Sequence, residues 1–96
     1  MNRIEALESN KFRFSSSSEI ALLSLKEEDA NQLVMRLDRA ANDLLTSNKS
    51  ISHKGLEIHY KHLRLFFKAE KTHLNIIHLV HINAFPLNGN LVYEAV

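Results

Sequence analysis

From Lys11 to Ser15 the chain alternates polar and aromatic residues, Lys-Phe-Arg-Phe-Ser, the period-two signature of a half-buried strand. Serines then interrupt it, and the Ser16/Glu19 spacing matches a capping box, in which a serine hydroxyl accepts from a first-turn amide and the glutamate returns the bond. This predicts a short helix with Ile20, Leu22 and Leu23 supplying its buried face. A longer helix is predicted from about Glu27 to Thr46. Leu33, Leu37, Ala40 or Ala41, and Leu44 recur three and four apart, while Asp29, Gln32, Arg36, Arg39 and Asp43 occupy the other positions. Glu27, Glu28 and Asp29 stand in its first turn, where they complement the helix dipole. Ser47-Asn48-Lys49-Ser50 ends it.

After Gly55 the period changes to two. Leu56, Ile58 and Tyr60 alternate with Glu57, His59 and Lys61, and Leu63, Leu65 and Phe67 alternate with Arg64, Phe66 and Lys68. Two antiparallel strands joined by a tight turn near Lys61-His62 are expected, with Arg64, Phe66 and Lys68 sharing one face and Glu57, His59 and Lys61 another. Glu70-Lys71-Thr72 makes the next turn, into Leu74–Ile82, which is apolar on both faces and reads as an interior strand. Asn83 to Asn90 is turn chemistry with the chain's one proline, and Leu91 to Val96 is one short apolar segment. The predicted fold is therefore α+β: an N-terminal strand, a two-helix hairpin, then three antiparallel strands, forming one sheet packed against the helices. The domain is single over 1–96, with 1–10 an N-terminal segment and 83–96 a C-terminal tail.

Composition narrows the function classes. Absence of cysteine excludes disulfide scaffolds, thiolate zinc sites and cysteine nucleophiles, and suits a reducing compartment, so a cytoplasmic location is expected. The start carries Arg3, Glu5, Glu8, Lys11 and Arg13, unlike a signal peptide, and no segment approaches the roughly 20 apolar residues of a membrane helix. No membrane partner is expected, and no cofactor is implied.

The net charge of +1 hides an asymmetry. Residues 1–48 hold six Lys/Arg against eight Asp/Glu, whereas residues 49–81 hold six against two and contain all six histidines. That local positive field suits an anionic partner such as nucleic acid. A solvated sheet face gives the same count. A metal site is not expected, because His59/His62 and His78/His81 are three apart, which on a strand puts each pair on opposite faces.

In this order, Phe12-Arg13-Phe14-Ser15-Ser16, the helical pair through Leu45, Leu63-Arg64-Leu65-Phe66-Phe67-Lys68, Ile76-Ile77-His78-Leu79-Val80-His81 and the tail Val92-Tyr93-Glu94-Ala95-Val96 resemble the RelE/ParE superfamily of bacterial toxins. The resemblance covers about residues 11–82 plus the tail. It implies a toxin neutralised by a cognate antitoxin that wraps the basic face. The RelE branch cleaves messenger RNA on the ribosome; the ParE branch poisons DNA gyrase without such cleavage.

Cleavage by the ribose 2′-hydroxyl requires removal of its proton, stabilisation of charge at phosphorus and protonation of the leaving oxygen. By the resemblance, Arg64 takes the phosphate-binding arginine's place, and its fork suits two phosphate oxygens. Tyr93 matches the tail tyrosine that in the RelE branch stacks on a base and takes part in the chemistry, so the resemblance makes it a catalytic candidate. Where that branch has two lysines on its second strand, this chain has Glu57 and His59, so acid–base work passes to a histidine, with His59, His62 and His81 the candidates. Lys54, Lys61, Arg64 and Lys68 are candidate phosphate contacts, and Phe66 is placed either to stack on a base or to pack beneath the helices. An RNA endonuclease is the first expectation. A gyrase inhibitor, or a member acting only as a protein-binding module, is the alternative.

Overall fold

The computed structural model describes residues 1–46, 55–81 and 91–92. In chain order the elements are α1 (Arg3–Glu8), β1 (Phe12–Phe14), α2 (Ser16–Ser24), α3 (Glu27–Thr46), β2 (Leu56–Tyr60), β3 (Leu63–Ala69), β4 (Leu74–His81) and β5 (Leu91–Val92). The expected α+β class, the helix from Glu27 to Thr46 and the turn at Lys61-His62 are all present. No helix among the described residues is long and apolar enough to cross a membrane.

The sheet departs from the expected arrangement. Its order is β1-β4-β3-β2-β5. The meander β2-β3-β4 is antiparallel, as the short turns require, but β1 joins the edge of β4 in parallel and β5 joins the edge of β2 in parallel. The sheet is therefore mixed. Period-two alternation identifies strands without fixing the direction in which distant ones pair, and β1 is separated from β4 by two helices and two strands.

Two further corrections concern the N-terminal region. The segment before Lys11 contains a helix, started by a capping box in which Asn2 Oδ1 accepts from the Glu5 amide at 2.9 Å and Glu5 Oε1 accepts from the Asn2 amide at 3.2 Å. And α2 is capped by Ser15, one residue before the expected position, with Ser15 Oγ accepting from the Ser18 amide. The buried face of α2 also differs from the expected one. Leu22 and Ser18 are buried, whereas Ile20 is 64% exposed and Leu23 46% exposed.

The helices cover one face of the sheet. α2 packs on β4 and β1, α3 packs on β2 and β3, and α1 packs against both α2 and α3. Arg3 of α1 donates to the Leu25 carbonyl at 2.8 Å and to that of Leu23 at 3.4 Å, satisfying carbonyls at the end of α2. Leu33, Leu37, Ala40 and Ala41 are buried as their spacing predicts, joined by Ala30 and Val34. Against them lie Phe12 from β1, Leu56 and Ile58 from β2, Leu63, Leu65, Phe67 and Ala69 from β3, and Leu74, Ile76 and Leu79 from β4.

One irregularity sets the phase of β4. Phe66 pairs with His78 but Phe67 pairs with Ile76, so Ile77 is an extra residue in the ladder. The bulge lets Ile76 and Leu79, an odd number of residues apart, both enter the core. Ser15 Oγ donates to the carbonyl of this same Ile77 at 2.7 Å. With that proton committed, the 2.7 Å contact between Ser15 and the buried Ser18 is a bond donated by Ser18. One side chain thus caps α2, satisfies Ser18 and fastens the bulge. Ser15→Ala is expected to cost about 2 kcal/mol and to lower Tm by roughly 10 °C, with Ser15→Thr recovering most of the loss; thermal unfolding followed by circular dichroism checks it.

Candidate functional site

The register of the sheet assembles the site on the face opposite the helices. On β3, the residues out of phase with the core are Arg64, Phe66 and Lys68. His59 of β2 lies directly across from Arg64, and Glu57 of β2 lies across from Phe66. On the other side of β3, His78 lies across from Phe66 and Asn75 across from Lys68, and Asn75 pairs in turn with Arg13 of β1. Glu57 and His59, expected on a separate face from Arg64 and Phe66, therefore share one with them. Antiparallel pairing brings opposite Cβ atoms to about 5 Å, so His59 and Arg64 are immediate neighbours.

Within this group Glu57 is the constrained member. It is only 5% exposed, and a carboxylate so placed needs a compensating partner. His59, two residues along the strand and on the same face, supplies one: its Nε2 lies 3.4 Å from Glu57 Oε1. A neutral imidazole that directs its Nε2–H at the carboxylate keeps the Nδ1 lone pair free as a base. Arg64 is held differently. Its Nε is buried with no hydrogen-bond partner, and no ion pair joins it to Glu57, although the two are diagonal neighbours. Among the described residues the guanidinium therefore has no counter-charge, and it lies beside an imidazole tied to Glu57.

Other expected site residues fall elsewhere. His62 is exposed in the hairpin turn, away from the strand rows. His81 pairs with Leu63, out of phase with Arg64. Lys61 does not continue the row of Glu57 and His59. It sits in the turn at φ 51°, its ammonium is 3.0 Å from Asp29 of α3, and it lies 5.4 Å from the centre of the Tyr60 ring. The Arg36 guanidinium lies 4.9 Å from the same ring. Lys61 thus serves the helix side. Phe66 is 3% exposed and stands outside the main core cluster, so it neither packs beneath the helices nor offers a free ring for stacking. Lys54 and Tyr93 lie outside the described residues.

Sequence reasoning missed His78, Arg13 and the tie between Glu57 and His59. The last was legible, since positions two apart on a strand share a face. His78 and Arg13 were not, because their rows depend on the bulge and on parallel pairing with β1. Among the described residues, no group of three or more histidine, aspartate or glutamate side chains is placed to hold a metal ion. Comparison of the chain with protein-family models, curated proteins and solved structures returns no match.

The hydrogen bond from Lys61 to Asp29, aided by the charge of Asp29, raises the lysine pKa above its ordinary 10.5. The pair's contribution to stability is therefore fully present below pH 10.5 and is lost as pH rises through the raised folded-state value. Lys61→Met is expected to lower Tm at neutral pH, and the gap from the wild type to close at strongly alkaline pH; paired thermal melts across that range test it.

Proposed function

We propose that the chain is the toxin of a toxin–antitoxin pair, an endonuclease that cleaves messenger RNA on the ribosome in the RelE manner, with its chemistry on the helix-free face of the sheet. The observation that carries the proposal is the juxtaposition of His59 and Arg64 across β2 and β3, the first tied to the buried Glu57 and the second with no counter-charge among the described residues. Those groups meet two needs of 2′-hydroxyl cleavage, a base for the hydroxyl proton and a cation for the charge at phosphorus.

His59 Nδ1 accepts the proton of the ribose 2′-hydroxyl, the freed oxygen attacks phosphorus, and the bond to the 5′-oxygen breaks as that oxygen takes up a proton from water. The products are a 2′,3′-cyclic phosphate and a 5′-hydroxyl. Arg64 binds the non-bridging oxygens as charge accumulates on them, and its planar fork suits two oxygens together. Glu57 acts through His59, as a positioning residue.

Purified protein added to a translation extract is expected to cleave messenger RNA and leave 5′-hydroxyl ends, which primer extension and end-labelling detect. Arg64→Ala and His59→Ala are each expected to lower the cleavage rate by about 10²-fold or more, and Arg64→Lys to restore only part, because an ammonium cannot form the fork. Growth arrest with intact messenger RNA and with DNA breakage would instead identify the gyrase-directed alternative.

A further inference from the structure

Arg13 takes no part in the proposed chemistry, yet the sheet puts it in line with the residues that do. β1 pairs it with Asn75, and Asn75 pairs with Lys68, so Arg13 and Lys68 occupy one row across three strands on the helix-free face. Both are exposed, and neither has a hydrogen bond or ion pair among the described residues. Lys11 and Lys61 differ, each being paired with an aspartate of α3, at 3.2 Å and 3.0 Å. At the described strand positions of the helix-free face the one carboxylate is Glu57, which is buried and engaged by His59. Arg13, Lys68 and Arg64 therefore form a group of cations with no counter-charge among the described residues.

Their spacing defines what can use them. Arg13 and Lys68 are two strands apart, about 10 Å, and Lys68 and Arg64 are four residues apart along β3, about 13 Å. Arg13 and Arg64 are then about 16 Å apart on the diagonal, and side chains that stand roughly perpendicular to the sheet keep their charged heads at about that separation. One phosphate cannot serve both ends. A chain of phosphates can.

We infer that Arg13 and Lys68 are phosphate-binding residues of an extended track, so that the site takes a single-stranded RNA several nucleotides long, crossing the sheet obliquely from the β1 edge to Arg64 and His59. The inference rests on the RNA-directed reading of this face and adds the substrate's form, length and path. Flexible single strands commonly follow such charged grooves, with site sizes of roughly 4–16 nucleotides.

Fluorescence anisotropy with the full chain tests it, using a ten-nucleotide single-stranded RNA with 2′-O-methyl riboses to prevent cleavage, a dinucleotide of the same chemistry, and a salt series for each. The wild type is expected to bind the longer strand more tightly. Arg13→Ala should weaken that binding about 3–10-fold and reduce the slope of log affinity against log salt by about 0.7, the contribution of one phosphate contact in a single strand. Lys68→Ala should do the same, the double variant should lose about 1.4 from the slope, and Arg13→Lys should retain it. Arg39→Ala, on the exposed side of α3, serves as the control and should leave the slope unchanged. Binding of the ten-nucleotide strand by the wild type with no change of slope in Arg13→Ala and Lys68→Ala would overturn the track alone. Absence of RNA binding by the wild type, or preference for a duplex, would overturn it too, and the former would remove the RNA-directed reading with it.

Discussion

The register of the β2–β3 hairpin is the constraint on which both faces of the sheet depend. It sets Ile58 against Leu65 for the core and His59 against Arg64 for the site. A slip of one residue would turn Leu63, Leu65 and Phe67 out from beneath the helices and carry Arg64 and Lys68 into their place. The two-residue turn resists that slip, although it holds Lys61 in the left-handed region, where a residue with a side chain is disfavoured by about 1 kcal/mol or more. Lys61 is kept there by Asp29 and by the Tyr60 ring, so the turn is fastened to α3. The bulge at Ile77 plays the matching part on the other side of β3, with Ser15 holding it. Register, helix cap and bulge thus form one connected device, and the row from Arg13 to Lys68 exists because all three agree.

The site holds buried polar groups that are costly to keep, as does α3, where Arg36 Nε is also buried without a hydrogen-bond partner among the described residues. Among the described residues, a buried Glu57 met by one 3.4 Å contact to His59, and a buried Arg64 Nε without a partner, are each unfavourable in isolation. An ion pair between them would relieve both, and the fold does not form it. Leaving Arg64 without a counter-charge makes sense where a ligand's oxygens complete its hydrogen bonds. The core built from Leu65, Phe67, Leu33 and Leu37 offsets the local cost.

Much of this was legible in the sequence, and its limits have physical causes. The three- and four-residue spacing of Leu33, Leu37 and Ala40 determines α3 because a helix that long must bury one stripe. Alternation determines β2 and β3, and with a two-residue turn it places His59 opposite Arg64. What alternation does not carry is the partner of β1, the phase change at Ile77 or the direction in which Lys61 leaves the strand. Each of these is decided by contacts between residues far apart in the chain. The run of serines shows the same limit at short range. Ser15 and Ser16 are chemically equivalent as caps, and the Ile77 carbonyl, sixty-two residues away, selects Ser15. Alternation puts Phe66 on the face away from Leu65 and Phe67, but does not show that its ring is 3% exposed there.

The central claim is that Arg64, beside an imidazole tied to Glu57, is an anion-binding group directed at RNA. It is tested most directly by nuclear magnetic resonance of the arginine Nε–H and histidine ring signals during titration with a non-cleavable single-stranded RNA. The Arg64 Nε–H and His59 ring resonances are predicted to shift together and first, with those of Arg36, on the helix side, unmoved. A titration in which Arg64 and His59 stay fixed while the α2 and α3 signals move would contradict it.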